Sequence, residues 1–231
     1  MATIATDEEW LAARRALLQE EKALQRARDQ LAGKRRRLPW RRIESDYEFE
    51  GADGRRSLLD LFGNASQLLI YHFMYHPDWD QGCKTCSFWA DGFDASIPRL
   101  DARDVALAVI SRGPLEKLLS YWQRMGWRFP WFSSADSTFN YDFGVSFTAE
   151  QIESRNSFYN FRDGASVGPE MPGISTFARD DGGSIFHTYS TYSRGLDPLN
   201  SAYQLLDLVA KGRDEDQLPF PMDWIRRHDE Y

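Results

Sequence analysis

Residues 68–86, LLIYHFMYHPDWDQGCKTC, place an apolar run, a polar loop and two cysteines in direct succession. The run at 68–74 is almost wholly apolar, which is typical of a central strand covered on both faces. Cys83 and Cys86 are the only cysteines of the chain, so no third thiol competes for either one. A CxxC pair between a strand and a helix indicates thiol–disulfide chemistry more strongly than a CxxC pair alone.

The segments after the cysteines repeat a strand–helix order. Residues 86–97 have helical character, 105–111 (VALAVIS) form a second buried run, and Pro114 begins an amphipathic helix that extends to 125. Strand, helix, strand and helix in this order predict an α/β fold with parallel strands and right-handed crossovers. Further on, two strands flank the turn at 180–183 (DDGG), and a last helix is predicted over 198–209.

The N-terminal residues 1–42 are predicted to form a helical arm with a basic end. Thr6 and Glu9 fit a capping box, and apolar side chains recur every seven residues at Trp10, Leu17, Leu24 and Leu31. This seam permits two interpretations: an arm packed along its own domain, or a homodimer contact. The basic run at 34–37 suits the negative end of the helix dipole. Residues 43–231 are then one domain, with an aromatic-rich insertion at about 127–168 that covers one end of the sheet.

Composition limits the possible classes of protein. The 231 residues are 42% hydrophobic and 14% aromatic, as in globular proteins, and the net charge of −7 disfavours nucleic acid as a partner. No apolar run approaches the roughly 20 residues that span a bilayer, so no membrane association is expected. The first residues lack the pattern of a signal peptide, which predicts a cytoplasmic location. There a CxxC pair is more often redox-active or metal-binding than structural.

The strand order and several short motifs resemble known proteins. The core with its CxxC pair resembles the thioredoxin-like fold, and residues 49–62 are similar to the opening hairpin of peroxiredoxin-like members. Nearly the whole chain resembles one bacterial family of thioredoxin-like proteins, the domain of unknown function numbered 899, some members of which are labelled dithiol–disulfide isomerase. The motifs that carry this resemblance are 9–14 (EWLAAR), 71–74 (YHFM), 82–93 (GCKTCSFWADGF), 139–143 (FNYDF) and 186–190 (FHTYS).

The resemblance implies roles for the residues of the motif. Cys83 would lie at a helix N-terminus, where the dipole stabilises a thiolate, and would attack the disulfide of a protein or small-molecule substrate. Cys86, one turn on, would resolve the mixed disulfide without any cofactor. Lys84 is expected to lower the pKa of Cys83, and His76 in the preceding loop to tune the site. Thr85 receives no role.

A proline opposite the cysteines is a further expectation from the thioredoxin-like fold. Met171-Pro172 is the best match, and a cis bond there would aim backbone polar groups at the substrate chain. Two features depart from well-understood members. Gly82 stands where thioredoxins have Trp, and Asp80 stands where peroxiredoxins have Thr or Ser, which disfavours a thiolate and therefore a peroxidase.

Three alternatives to a disulfide oxidoreductase follow from the residues. Cys83, Cys86 and His187 could bind copper or zinc, since His187 lies on the predicted hairpin that approaches the cysteines. A peroxiredoxin-like peroxidase is the second alternative. A non-catalytic binding module that uses the aromatic residues at 127–143 is the third, although such residues more often pack in a core or lid. His72, within an apolar strand, is interpreted as a satisfied core histidine.

Overall fold

The computed structural model describes residues 3–164, 166 and 168–231, which divide into two compact units, one up to Pro39 and one from Trp40 to Tyr231. The first unit is helix α1 (Asp7–Arg35). The Thr6 hydroxyl accepts a hydrogen bond from the Glu9 N–H at 3.3 Å, and the Glu9 carboxylate accepts one from the Thr6 N–H at 2.8 Å. The predicted capping box is therefore confirmed.

The apolar seam of α1 is exposed along its length. No described residue of the helix is buried, and Trp10, Leu17, Leu24 and Leu31 are all classed as exposed. The homodimer through this seam stays a prediction. Within the described residues, no helix combines the length and the apolar character needed to cross a membrane.

The second unit contains a central sheet with helices placed between its strands. Its strands are β1 (Arg41–Arg42), β2 (Glu48–Gly51), β3 (Gly54–Ser57), β4 (Gln67–His72), β5 (Val105–Ser111), β6 (Trp131–Ser133), β7 (Phe158–Tyr159), β8 (Arg162–Asp163), β9 (Gly173–Arg179) and β10 (Ile185–Tyr192). Its helices are α2 (Lys84–Asp94), α3 (Ile97–Asp101), α4 (Leu115–Met125), α5 (Phe139–Asp142), α6 (Ala149–Glu153) and α7 (Ser201–Leu206), with 3₁₀ turns at Asp60–Phe62, Ser193–Leu199 and His228–Glu230.

The strand order matches the predicted core. Among the described residues, eight strands form one sheet in the order β1-β10-β9-β4-β5-β6-β2-β3. β4 runs parallel to β5 and antiparallel to β9, and β9 pairs with β10 across the predicted turn. These four strands, with α2 and α4 as crossovers, give the thioredoxin-like α/β fold, and β2 with β3 forms the expected opening hairpin. The fold class is confirmed.

Part of the aromatic-rich segment 127–168 lies in the main sheet instead of over its end. β6 runs parallel to β5, with Val109 opposite Trp131. Trp131 is buried, and its indole N–H donates to the Ser111 hydroxyl at 3.0 Å. A strand of three residues is too short to show a period of two in the sequence, which is why it reads as irregular. The last predicted helix is also shorter than expected, since Asn200 caps α7 by accepting from the Tyr203 N–H.

Two apolar clusters cover the two faces of the sheet. Alternate residues of β4 divide between them: Leu69 and Tyr71 face α2 and α4, whereas Leu68 and Ile70 face the opening hairpin and α5. Helix α2, which begins after Cys83, and the aromatic residues Phe139 and Phe143 therefore lie on opposite faces of the sheet.

His72 lies on the second face and is only half satisfied. Its ring stacks on Phe143 with centroids 5.9 Å apart, and its Nε2 lies 2.8 Å from the Ser175 hydroxyl. Its Nδ1 is buried without a hydrogen-bond partner in the described residues. Because an orphaned N–H costs more than an orphaned lone pair, Nε2 carries the proton and Nδ1 is bare. Burial lowers the pKa of His72 to about 3.

This histidine makes the stability of the protein depend on pH. Folded His72 stays neutral while the unfolded chain binds a proton below about pH 6.5, so stability is lost as the pH falls from about 6.5 towards 3. The slope that His72 contributes is roughly half of 1.4 kcal/mol per pH unit between pH 7 and 6 and approaches about 1.4 kcal/mol per pH unit near pH 5. Urea unfolding at pH 7, 6 and 5 should show a slope that is smaller in His72→Phe than in the wild type by about this contribution, since His76 and His187, whose pKa values are also lowered, remain in both proteins. Equal slopes in the wild type and His72→Phe would contradict the assignment.

Candidate active site

The two cysteines lie at the start of α2, directly beyond the end of β4. The Cys83 N–H donates to the Met74 carbonyl at 3.2 Å, which ties the start of the helix to the chain that leaves the sheet. Cys83 is partly exposed, Cys86 is buried one turn further on, and both are free thiols. Cys83 is thus the more exposed of the two sulfurs.

The surroundings of the two sulfurs set their pKa values apart. A hydrogen bond from the Cys86 thiol is the largest cause that lowers the pKa of Cys83 to about 6. The Thr85 hydroxyl, 2.9 Å from the Cys83 sulfur, lowers this pKa further, as do the backbone N–H groups of Thr85 and Cys86. Burial raises the pKa of Cys83, but by less than these hydrogen bonds lower it. Burial and the neighbouring Cys83 raise the pKa of Cys86 well above its usual value.

Gly82 is required by close packing before the nucleophile. A Cβ atom at this position would lie 2.8 Å from ring carbons of both Phe73 and Tyr121, closer than a side chain can approach. The Gly82 carbonyl accepts a hydrogen bond from the Arg227 guanidinium at 2.8 Å. The glycine that replaces the tryptophan of thioredoxins therefore fits two aromatic rings of this core.

A cavity of about 140 Å³ lies beside Cys86. Cys86 and Pro172 both line it, so the structure brings the predicted proline close to the motif. The remaining lining residues are Tyr71, Thr85, Trp89, Tyr159, Met171, Ser193, Arg194, Leu196, Asp197 and Met222.

The expectation of a cis bond at Met171-Pro172 is wrong. The described residues contain no cis peptide bond, and both residues are among them. With the trans bond, the Met171 N–H donates to the Val145 carbonyl at 2.8 Å and the Pro172 carbonyl accepts from the Tyr159 hydroxyl at 2.8 Å. The trans form is also the intrinsically favoured one, by about 0.5–1 kcal/mol.

The C-terminal segment contributes to the site, which the sequence did not indicate. The Lys84 amine donates to the Asp223 carbonyl at 2.9 Å, and Met222 lines the cavity. The Arg227 guanidinium also donates to the Tyr121 hydroxyl at 2.7 Å. Residues 210–231 are largely polar, and the sequence signals of a packed segment are the apolar residues at 218–225, among them Met222, Trp224 and Ile225.

Three charged or titratable side chains near the motif are not among the main groups that set the pKa of Cys83. Lys84 is not among the main groups that lower the pKa of Cys83, which are thiol, hydroxyl and backbone donors. Asp80 is exposed and is likewise absent from those main groups. His76 accepts a hydrogen bond from the Asp78 N–H at 3.2 Å within its own loop, and burial lowers its pKa. The tuning roles predicted for Lys84 and His76 stay predictions.

The residues of the alternative metal site are not brought together. Among the described residues, no three His, Cys, Asp or Glu side chains are close enough to share a metal ion. The His187 Nε2 lies 2.7 Å from the Ser190 hydroxyl, and His187 does not line the cavity beside Cys86. The expected approach of His187 to the cysteines is therefore wrong: it faces Phe143 and Phe177 of the other cluster.

The aromatic residues at 127–143 belong mainly to the core. None of them lines the cavity beside Cys86, whose aromatic walls come from Tyr71, Trp89 and Tyr159. The buried members of the set are Trp127, Phe129, Trp131, Phe139 and Phe143. The packing interpretation of these residues holds, and they give no support to a binding module beside the cysteines.

Several solved structures are similar at low identity. Peroxiredoxin Q of Xanthomonas campestris is 14% identical, with 68% of this chain and 86% of that chain covered and a TM-score of 0.48. Peroxidoxin BcpB of Mycobacterium tuberculosis is 16% identical, with 70% and 93% covered and a TM-score of 0.45. A hypothetical protein of Sinorhizobium meliloti is 13% identical, with 64% and 68% covered and a TM-score of 0.41. Likenesses this distant carry no activity over to this chain.

A comparison with curated proteins finds no match. The family described as "Bacterial protein of unknown function (DUF899)" matches residues 1–231. The resemblance seen in the sequence motifs is therefore confirmed over the full length, and this chain belongs to the bacterial family DUF899.

Proposed function

We propose that this protein is a thiol–disulfide oxidoreductase with Cys83 as nucleophile and Cys86 as resolving thiol. The observation that supports this proposal most is the placement of the pair, with Cys83 partly exposed at the start of α2 and Cys86 buried one turn on, which lowers the pKa of Cys83 to about 6 and raises that of Cys86. At pH 7 a pKa near 6 leaves about 90% of Cys83 as thiolate. The buried Cys86 stays protonated and donates its hydrogen bond to that thiolate.

The reaction proceeds in two successive thiol–disulfide exchanges. The Cys83 thiolate attacks one sulfur of a substrate disulfide, a Cys83–substrate bond forms, and the first substrate thiolate leaves. Cys86 then loses its proton and attacks Cys83, which releases the second substrate thiolate and leaves a Cys83–Cys86 disulfide. The substrate gains two electrons and the protein loses two, and a cellular dithiol restores the reduced pair.

The cavity beside Cys86 supports a substrate with an apolar group next to its disulfide. Its walls carry aromatic and aliphatic side chains, including Trp89, Leu196 and Met222, together with Pro172. We assign Pro172 a positioning role by shape, because its carbonyl is already bonded to Tyr159. We further propose that the partner is a protein or small-molecule disulfide of the cytoplasm. Lys84 and His76, at the edge of the site, tune the reactivity of Cys83.

Replacing each cysteine separately tests the two roles. With dithiothreitol as the electron donor, Cys83→Ser should lower the rate at which the protein reduces insulin disulfides at least about 100-fold, because the remaining thiol is buried and protonated. Cys86→Ser should also fail to turn over, but it should accumulate a mixed disulfide with the substrate that is visible by mass spectrometry. Wild-type turnover by Cys83→Ser would contradict the proposal. Faster consumption of hydrogen peroxide than of insulin disulfides would favour the peroxidase instead.

Replacing Thr85 tests what holds the thiolate. Thr85→Val removes the hydroxyl at nearly constant volume and should raise the pKa of Cys83 from about 6 towards the 8.5 of a free thiol. The pH dependence of iodoacetamide alkylation measures this pKa, since only the thiolate reacts and the rate rises as the pH passes through it. Thr85→Ser keeps the hydroxyl and should retain the wild-type profile. Identical profiles for Val and wild type would contradict a role for Thr85.

A further inference from the structure

A second cavity, of about 270 Å³, shares no lining residue with the one beside Cys86. Two motifs that the redox proposal does not use, 139–143 and 186–190, both contribute to it. Its lining residues are Arg41, Tyr141, Asp142, Phe143, Gly144, Ser146, Phe147, Gln151, Phe158, Asn160, Phe161, His187 and Tyr192. Clefts for drug-sized ligands measure roughly 300–1,000 Å³, so this one suits a ligand of one or two rings.

Aromatic rings form the walls of this cavity. Phe143, Phe147 and Tyr192 are buried, whereas Phe158 and Phe161 remain 56% and 66% exposed. Large exposed rings beside a cavity keep apolar surface in water until something covers them. A flat apolar ligand would cover both.

The backbone that carries Phe161 is strained. Asn160 and Phe161 form the two-residue turn between β7 and β8, with φ of 50° and 61°. Such a turn favours Asn followed by Gly, because a side chain at the second position crowds the left-handed backbone. The Phe161 ring lies 5.7 Å from the Tyr192 ring. A phenylalanine at a backbone position that favours glycine, with its ring at a cavity, indicates that the ring contributes to binding there.

A positive charge without an ion-pair partner lies at the same cavity. Arg41 stands opposite His187 in the pairing of β1 with β10, and its guanidinium carbon lies 5.7 Å from the centre of the Phe143 ring. Within residues 3–164, 166 and 168–231, no carboxylate forms an ion pair with Arg41. The Asp142 carboxylate also lines the cavity, and its Oδ2 accepts hydrogen bonds from the Tyr47 and Thr138 hydroxyls at 2.9 and 2.7 Å. Arg41 is therefore the group available to an anion.

A chain of hydrogen bonds holds His187 at the polar side of the cavity. His187 lies 2.7 Å from the Ser190 hydroxyl, which lies 2.8 Å from that of Ser175, and Ser175 continues the chain to His72 at 2.8 Å. Burial and the charge of Arg41 lower the pKa of His187. This chain of hydrogen bonds fixes the His187 ring, and among the described lining residues Arg41 is the cation without an ion pair.

We propose that this cavity binds a planar aromatic carboxylate of one or two rings. The rings lie among Phe158, Phe161 and Tyr192, and the carboxylate pairs with Arg41. An uncharged ring of the same size lacks the second interaction and binds more weakly. This site is independent of the cysteines.

Calorimetric titration of full-length Cys83→Ser with 2-naphthoate tests the proposal without any redox chemistry. Saturable binding of one 2-naphthoate per chain is expected, with 2-naphthalenemethanol at least about fivefold weaker. Arg41→Met should weaken 2-naphthoate binding by a similar factor, whereas Arg41→Lys should retain most of it. Phe161→Gly should weaken binding while its Tm stays equal or rises, because glycine relieves the turn. Phe220 is an exposed phenylalanine that does not line the cavity, so Phe220→Ala should change neither the affinity for 2-naphthoate nor the Tm.

The proposal is overturned if 2-naphthoate shows no saturable binding. It is also overturned if the alcohol binds as tightly as the carboxylate, or if Arg41→Met or Phe161→Gly retains wild-type affinity. The redox proposal is untouched by each of these results, since Cys83 is absent from the protein titrated.

Discussion

The hydrogen bonds that Cys83 accepts at the start of α2 are the interaction on which the proposed chemistry depends. Burial alone would raise the pKa of this thiol, yet donors from Cys86 and Thr85 lower it to about 6. The two sulfurs oppose each other: the thiol that donates is made a poorer acid by the thiolate it stabilises. A pair arranged in this way has a defined order of reaction, with the accessible sulfur first and the buried one second.

The rest of the fold holds these donors in place. β4 carries the chain to the Met74 carbonyl, which binds the Cys83 N–H, and Gly82 permits Phe73 and Tyr121 to pack against the backbone. The C-terminal segment is joined to both sides of the motif: Arg227 donates to the Gly82 carbonyl, and Lys84 donates to the Asp223 carbonyl. Lys84 therefore has a structural contact that its position between the cysteines does not reveal, and truncation of the last residues would disturb the motif as well as the surface.

Sequence periodicity predicted the core but not the details of the site. The buried runs at 68–74 and 105–111 and the turn at 180–183 give β4, β5 and the β9–β10 hairpin, because continuous apolar runs and turn residues are local signals. The trans bond before Pro172 and the three-residue β6 depend on contacts between distant segments, whereas Thr85 contacts Cys83 two residues away through a side-chain geometry that no sequence pattern shows. Tyr159 binding the Pro172 carbonyl is one such contact, and no local pattern encodes it.

The proposed chemistry requires the two cysteines to titrate separately, with Cys83 the stronger acid. Carbon NMR of protein labelled at the cysteine Cβ atoms measures each thiol directly, with Cys86→Ser to assign the signals. The Cys83 signal should titrate near pH 6, while the Cys86 signal should stay that of a thiol throughout the titration of Cys83. Two signals that titrate together near the 8.5 of a free thiol, or a Cys86 signal that moves first, would contradict the proposed chemistry.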